Sequence, residues 1–215
     1  MQDKGHNELS IQSNWPQAWQ NVVFRRKLTI TGIILFIIVL SLPPFFQYIE
    51  QREGAYMHDL VLQALPATDV SLPTFLIIWG ISGLVIVRMI KDPGFALLML
   101  SSFTLLCIAR IVSITMVPLN PPDGLIKLKD PLTSMIYGGK DKFITKDLFF
   151  SGHTSNMFLM CLCLPKKMDK YLALIATIIV GILVLVQHVH YTVDVLAAFL
   201  FTYVIYRVSK RTSTY

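Results

Sequence analysis

The chain has 215 residues, 54% of them hydrophobic and only 15% charged, with a mean hydropathy of +0.59. Soluble domains carry roughly 25% charged residues, so this composition excludes an ordinary water-soluble globule and makes lipid the solvent for much of the surface. The formal net charge of +6 does not mark a nucleic-acid binder, because the cations fall in short clusters between apolar runs and form no basic stripe.

Residues 1–27 are polar, contain Trp15, Trp19 and Phe24, and end on Arg25, Arg26 and Lys27. No apolar run precedes a small-residue cleavage site, so no cleavable signal peptide is predicted and the first span serves as the insertion signal. The stretch from Trp15 to Lys27 reads either as an interfacial helix on the cytoplasmic leaflet or as a polar tail.

A membrane-crossing helix needs roughly 20 mostly apolar residues. Six stretches approach that: Leu28 to Tyr48, Pro73 to Ile90, Phe95 to Leu119, Ser151 to Pro165, Tyr171 to Val189 and Tyr191 to Val208. The fourth is short and counts as a span because its polar start must reach a surface. The expected fold class is therefore all-α, a polytopic membrane helical bundle with six transmembrane helices. Residues 28–208 form the transmembrane domain, flanked by cytoplasmic segments at 1–27 and 209–215.

Short loops rich in Lys and Arg stay in the cytoplasm. Arg25 to Lys27 precede the first span, Arg88 and Lys91 join spans two and three, Lys166, Lys167 and Lys170 join four and five, and Arg207, Lys210 and Arg211 close the sixth. Six spans put all of these on one side, with both termini cytoplasmic. The loop at 120–150 departs from the bias with Lys127, Lys129, Lys140, Lys142 and Lys146, balanced in part by Asp123, Asp130, Asp141 and Asp147. It is expected to cover a site as a lid. Within it Asn120-Pro-Pro-Asp-Gly124 reads as a turn, and Gly138-Gly139-Lys140 is too short for a Walker-type phosphate loop. The three cysteines, Cys107, Cys161 and Cys163, lie in apolar runs without a second pair at metal-ligand spacing, and read as packing residues.

Two polar islands interrupt the apolar second half. One runs from Asp147 through Ser151-Gly152-His153 to Ser155, and the other is His188-Val-His190-Tyr-Thr-Val-Asp194. The topology brings both to the non-cytoplasmic face, and ionisable groups at such depths mark function. His190 and Asp194 are four apart; on one helix face the carboxylate accepts a hydrogen bond from one ring nitrogen and leaves the other for nucleophilic attack. His153 follows a glycine at a helix start, where free N–H groups and the helix dipole favour a phosphate. Single residues have plainer readings. His188 belongs to a turn or surface, Asp147 either caps the fourth helix or joins the site, and Thr154 and Ser155 bond the first-turn backbone. Arg110 either snorkels or binds phosphate.

Phe150-Ser-Gly-His-Thr154 followed by His190-Tyr-Thr-Val-Asp194 resembles the sphingomyelin synthase branch of the type 2 phosphatidic acid phosphatase superfamily, and Arg110-Ile-Val-Ser-Ile-Thr-Met116 is similar to a block in that branch's third span. The resemblance covers residues 75–208. It implies a metal-free, cofactor-free enzyme in which His190 attacks phosphorus, Asp194 orients it and His153 is acid and then base. It implies membrane-lipid partners: a phospholipid donor with a ceramide or diacylglycerol acceptor, or a lipid phosphate. The wider superfamily's Lys/Arg-Pro block and the Ser-Arg pair ahead of the nucleophile are absent, which favours the narrower branch and leaves the phosphate clamp to Arg110, with Asp147, Lys146 and Lys142 as further substrate-binding candidates. Water as acceptor makes the same site a phosphatase, and a non-enzymatic lipid carrier is the reading from another class. Alcohol phosphotransferases that use cytidine diphosphate donors are disfavoured, since their acidic series has no counterpart here beyond Asp123-Gly124.

Overall fold

The computed structural model describes residues 14–128 and 144–213. Helix α1 (Trp15–Gln20) is started by Pro16 and by Asn14, whose side chain accepts from the Gln17 N–H. Asn21 ends α1 and caps α2 (Val22–Gln51) through the Val23 and Phe24 N–H groups. The Trp15 indole donates to the Ile90 carbonyl at 2.7 Å, and Ala18, Phe24 and Leu97 are buried together. The N-terminal segment is thus a short docked helix, and the tail reading does not hold for its described part.

Beyond α2 come α3 (Leu60–Ala64), α4 (Ser71–Lys91), α5 (Pro93–Met116), α6 (Gly152–Cys163), α7 (Lys167–Val186) and α8 (Thr192–Thr212). One residue, Asp92, turns α4 into α5; its carboxylate caps Phe95 N–H and Pro93 opens the helix, where a missing N–H costs nothing. Five helices, α2, α4, α5, α7 and α8, are long and apolar enough to cross a membrane. The fourth predicted span, α6, has 12 residues, about 18 Å at 1.5 Å per residue against a hydrocarbon core of about 30 Å. It is too short to cross unaided, because the chain is spent on an irregular run from 144 that precedes the Ser151 cap.

Contacts between helix ends sort the bundle into two layers. At one end Lys27 bonds the Thr212 carbonyl, Arg88 pairs with Asp169, and Cys161 meets the Lys170 carbonyl. At the other, Glu50 binds the backbone of Thr145 and Lys146, Gln187 binds Ser71, and Ser151 N–H binds the Asp194 carbonyl. The first long helix therefore starts and the last one finishes at the same, basic end, and the loops gather at the opposite one. Lipid is as apolar as leucine, so helices associate through close packing rather than hydrophobic transfer. Small residues accordingly line the interior: Ala173, Ala176 and Gly181 of α7 and Ala198 of α8 are turned inward, with Val195 3.3 Å from where a Gly181 side chain would begin. Cys161 and Cys163 are buried in this packing.

Candidate active site

A cavity of about 360 Å³ opens in the loop end. Its inner wall is apolar, with Leu42 and Phe46 of α2, Phe75 and Trp79 of α4, and Phe103 and Leu106 of α5. Its head is polar, with Arg110, Asp147, Gly152, His153, Asn156 and His190. The structure thus brings two sequence-predicted histidines into one chamber, their ring centroids 6.3 Å apart and edge to face.

His153 is the second residue of α6. Ser151 caps the helix by accepting from the Thr154 N–H, Ser155 bonds back to the Gly152 carbonyl, and Phe75 packs edge-on against the His153 ring. The first-turn N–H groups and dipole therefore point to the cavity head. With Ser151 in the cap, Asp147 is not the cap of this helix. Its carboxylate instead pairs with Arg110 Nη2 at 2.5 Å.

Arg110 is only 9% exposed, its guanidinium lies over the Phe150 ring, and Nη1 has no hydrogen-bond partner among the described residues. A buried guanidinium N–H without an acceptor is costly, and this one stands open at the cavity head. Gly152 makes room for the guanidinium. A Cβ there would stand 2.9 Å from Arg110 Nη2 and 3.0 Å from Cζ, which is why a glycine precedes His153.

His190 and Asp194 come together differently from the one-face expectation. Helix α8 starts only at Thr192, so His190 lies before the cap, and Asp194, in the first turn, folds back to accept the Tyr191 N–H at 3.0 Å. His190 Nδ1 is 3.7 Å from Asp194 Oδ2, beyond a hydrogen bond. Both residues are buried, and His190 Nδ1 and Asp194 Oδ1 lack hydrogen-bond partners among the described residues. Nδ1 faces the acid, so Nε2, on the opposite edge of the ring, is the nitrogen left for chemistry.

Other candidates fall elsewhere. Lys146 flanks the cavity without lining it: its ammonium bonds the Arg52 carbonyl, and its N–H bonds Glu50. Lys142, the centre of the expected lid and the Gly138-Gly139-Lys140 segment lie outside the described residues. His188 is a buried turn residue with φ of 55°; its Nδ1 is 2.8 Å from the Asp123 carbonyl and its Nε2 3.1 Å from the Leu65 carbonyl. The turn at Asn120 to Gly124 forms, with Gly124 at φ 78°. Asn156 and Lys127 line the cavity and were not singled out as site residues; Asn156 carries a signal, one polar residue one turn beyond His153 in an apolar helix. Asp59, described below, sits in a loop whose sequence shows no motif.

No curated protein matches the chain. Residues 146–211, the stretch that carries Asp147, His153, His190 and Asp194, match the family model described as PAP2 superfamily C-terminal, and this supports the type 2 phosphatidic acid phosphatase superfamily, whose members are generally lipid phosphatases and phosphotransferases.

Proposed function

We propose that the protein is a membrane lipid phosphotransferase that moves a phospho-head-group from a phospholipid to a lipid alcohol through a phosphohistidine at His190. The observation that carries this reading is the pairing of two histidines with an unsatisfied, buried arginine N–H in a cavity whose remaining wall is apolar. The phosphate binds Arg110 and the N-terminus of α6 while the acyl chains lie along α2, α4 and α5. His190 Nε2 attacks phosphorus and the bond to the diacylglycerol oxygen breaks. His153, protonated, gives its proton to that oxygen. Asp194 closes on Nδ1 and balances the developing charge. The acceptor hydroxyl then loses its proton to His153, attacks phosphorus, and the P–N bond breaks.

Transfer of a head-group diester, as in the sphingomyelin synthase branch, is favoured over hydrolysis of a lipid phosphate by Asp147. A carboxylate beside the phosphate anchor repels the second charge of a phosphomonoester and suits a cationic substituent such as choline or ethanolamine. The second reading, a lipid phosphate phosphatase, uses the same residues with water as acceptor. By the distribution of basic loops, the site faces away from the cytoplasm, both termini are cytoplasmic, and α6 with the irregular run before it completes a sixth crossing.

Purified protein is incubated with head-group-labelled phosphatidylcholine and ceramide or diacylglycerol. Label in a new lipid supports the transferase. Water-soluble phosphocholine, or phosphate from phosphatidic acid, supports the hydrolase. No conversion of any of these sinks both.

A further inference from the structure

The segment between α2 and α3 is laced to the parts that carry the site. Ala55 pairs with Leu119 in a parallel bridge, and the Asn120 side-chain amide donates to the Gly54 carbonyl at 2.6 Å. Gly54 has no space for a side chain, since a Cβ would stand 2.5 Å from the Leu119 carbonyl carbon. Met57 N–H donates to the Tyr191 hydroxyl at 3.3 Å, and that hydroxyl donates to the Asn120 carbonyl at 3.0 Å.

The strap ends on Asp59, whose carboxylate serves two helices. Oδ1 accepts from the Val61 and Leu62 N–H groups and so starts α3. Across the strap, Thr192 N–H donates to Oδ2 at 2.6 Å and the Thr192 hydroxyl donates to Oδ1 at 3.0 Å. Thr192 is the first residue of α8, two positions from His190 and two from Asp194. A helix start leaves N–H donors without intrahelical acceptors. Here two carboxylates divide them: Asp194 takes the Tyr191 N–H and Asp59 takes Thr192.

We propose that Asp59 is a positioning residue for the His190 and Asp194 pair, acting through Thr192. Without it, the Thr192 N–H and hydroxyl turn to the nearest remaining carboxylate, that of Asp194. Asp194 is then drawn into capping and away from the 3.7 Å gap to His190 Nδ1 that it must close during attack. The strap also fixes the start of α8 relative to the end of α5, where Arg110 sits, so nucleophile and anchor are registered through the same loop. This inference rests on the phosphohistidine reading above.

The test compares wild type with Asp59→Ala, Asp59→Asn and Thr192→Val, each purified in detergent. Turnover is normalised to active sites by the burst of trapped phosphohistidine, which removes any unfolded fraction from the count. Asp59→Ala is expected to lower kcat per active site by about 10- to 100-fold with KM within about twofold. His190 must be neutral to attack, and a drawn-off carboxylate supports its protonated form less, so the acid limb of the kcat profile moves to lower pH. Asp59→Asn, which is isosteric and keeps one acceptor oxygen, falls between and carries the test if the alanine variant does not fold. Combining Asp59→Ala with Thr192→Val costs less than the product of the two single losses, because both act on one contact. A purely structural Asp59 lowers the number of active sites while leaving kcat per site and the acid limb unmoved, and that result overturns the inference alone. Wild-type protein that converts no phospholipid overturns the functional reading and this inference with it.

Discussion

The two ends of the bundle both hold charge, in opposite ways. At the basic end the cations stand in water: Lys166, Lys167, Lys210 and Arg211 are exposed, and the partly buried Arg88 is matched by Asp169 in a two-bond pair. At the loop end the charges are sunk among apolar side chains and incompletely matched. Among the described residues, Asp194 is fully buried with one oxygen unpartnered, and Arg110 has a terminal nitrogen without an acceptor although Asp147 neutralises it. Exposed cations near a membrane cost little and set orientation, whereas buried, unmatched polar atoms persist only where something else is gained. The difference supports the proposal that one end sets orientation and the other carries the chemistry. It also separates the helices, since only 6% of the apolar window of α2 is buried against 39% of that of α5: α2 is largely a lipid-facing wall, and α5 carries the anchor.

The largest effect that sharpens this contrast is expected at His190. His190→Ala removes the proposed nucleophile, and phospholipid conversion falls by at least about a thousandfold, with no trapped phosphohistidine. Conversion within tenfold of wild type in the same vesicles would falsify the assignment of chemistry to the loop end.

A smaller loss separates anchoring from nucleophilic attack. Gly152→Ala places a methyl group 2.9 Å from Arg110 Nη2 and 3.0 Å from its Cζ, and the guanidinium must shift off the start of α6. A misplaced anchor costs about 10- to 100-fold in kcat/KM, while His190 keeps its place and the phosphohistidine still forms. An unchanged kcat/KM sets Arg110 outside the binding of phosphate.

How much of this was legible in the sequence depends on the range of the interaction. The long helices follow from apolar runs, and their ends from local chemistry such as Asp92-Pro93, because a span is a property of its own residues. The site residues were legible in part for the same reason. His153 follows a serine cap and a glycine, and His190 stands four before Asp194, all within a turn or two. The register failed where a long-range partner decided it. Asp147 reads either as a cap or as a site residue, and it is Arg110, 37 residues away, that takes it to the cavity head, while Lys146 reads as a phosphate ligand but is held by the Arg52 carbonyl. Asp59 was invisible because its value lies in Thr192, 133 residues on. The fourth span is expected, though short, because its polar start must reach a surface, and its helix α6, with 12 residues, is too short to cross unaided.

Asp59 offers a milder test of the contrast, through pH. Burial pushes its carboxyl up, but the hydrogen bonds from Thr192, Leu62 and Val61 outweigh it and hold the group below its ordinary value of 3.8. A depressed folded value stabilises the charged, folded form above the ordinary value and loses that contribution as pH falls through the folded one. Wild type should therefore unfold at a higher temperature than Asp59→Asn at pH 7, and the gap should narrow as pH drops below about 4. A gap of constant size from pH 7 to pH 3 means that the charge of Asp59 does not hold the strap.

The smallest expected effect on catalysis lies at the basic end, and it is the most demanding of the contrast. Arg88 joins the end of α4 to the first turn of α7 through two bonds to Asp169, at 2.7 and 3.2 Å. Both side chains are mostly shielded, 22% and 13% exposed, so the pair is worth more than an open surface bridge. Arg88→Ala leaves Asp169 alone, though in the first turn of α7, where the helix dipole favours a carboxylate. The net loss is about 1–2 kcal/mol, or about 2–8 °C in the melting temperature of a chain this size. Conversion per active site should stay within about twofold of wild type, because α4 meets the cavity through Phe75 and Trp79, two turns or more from Arg88. A tenfold fall in kcat with the melting point unchanged would couple the basic end to the chemistry and dissolve the division between the two ends.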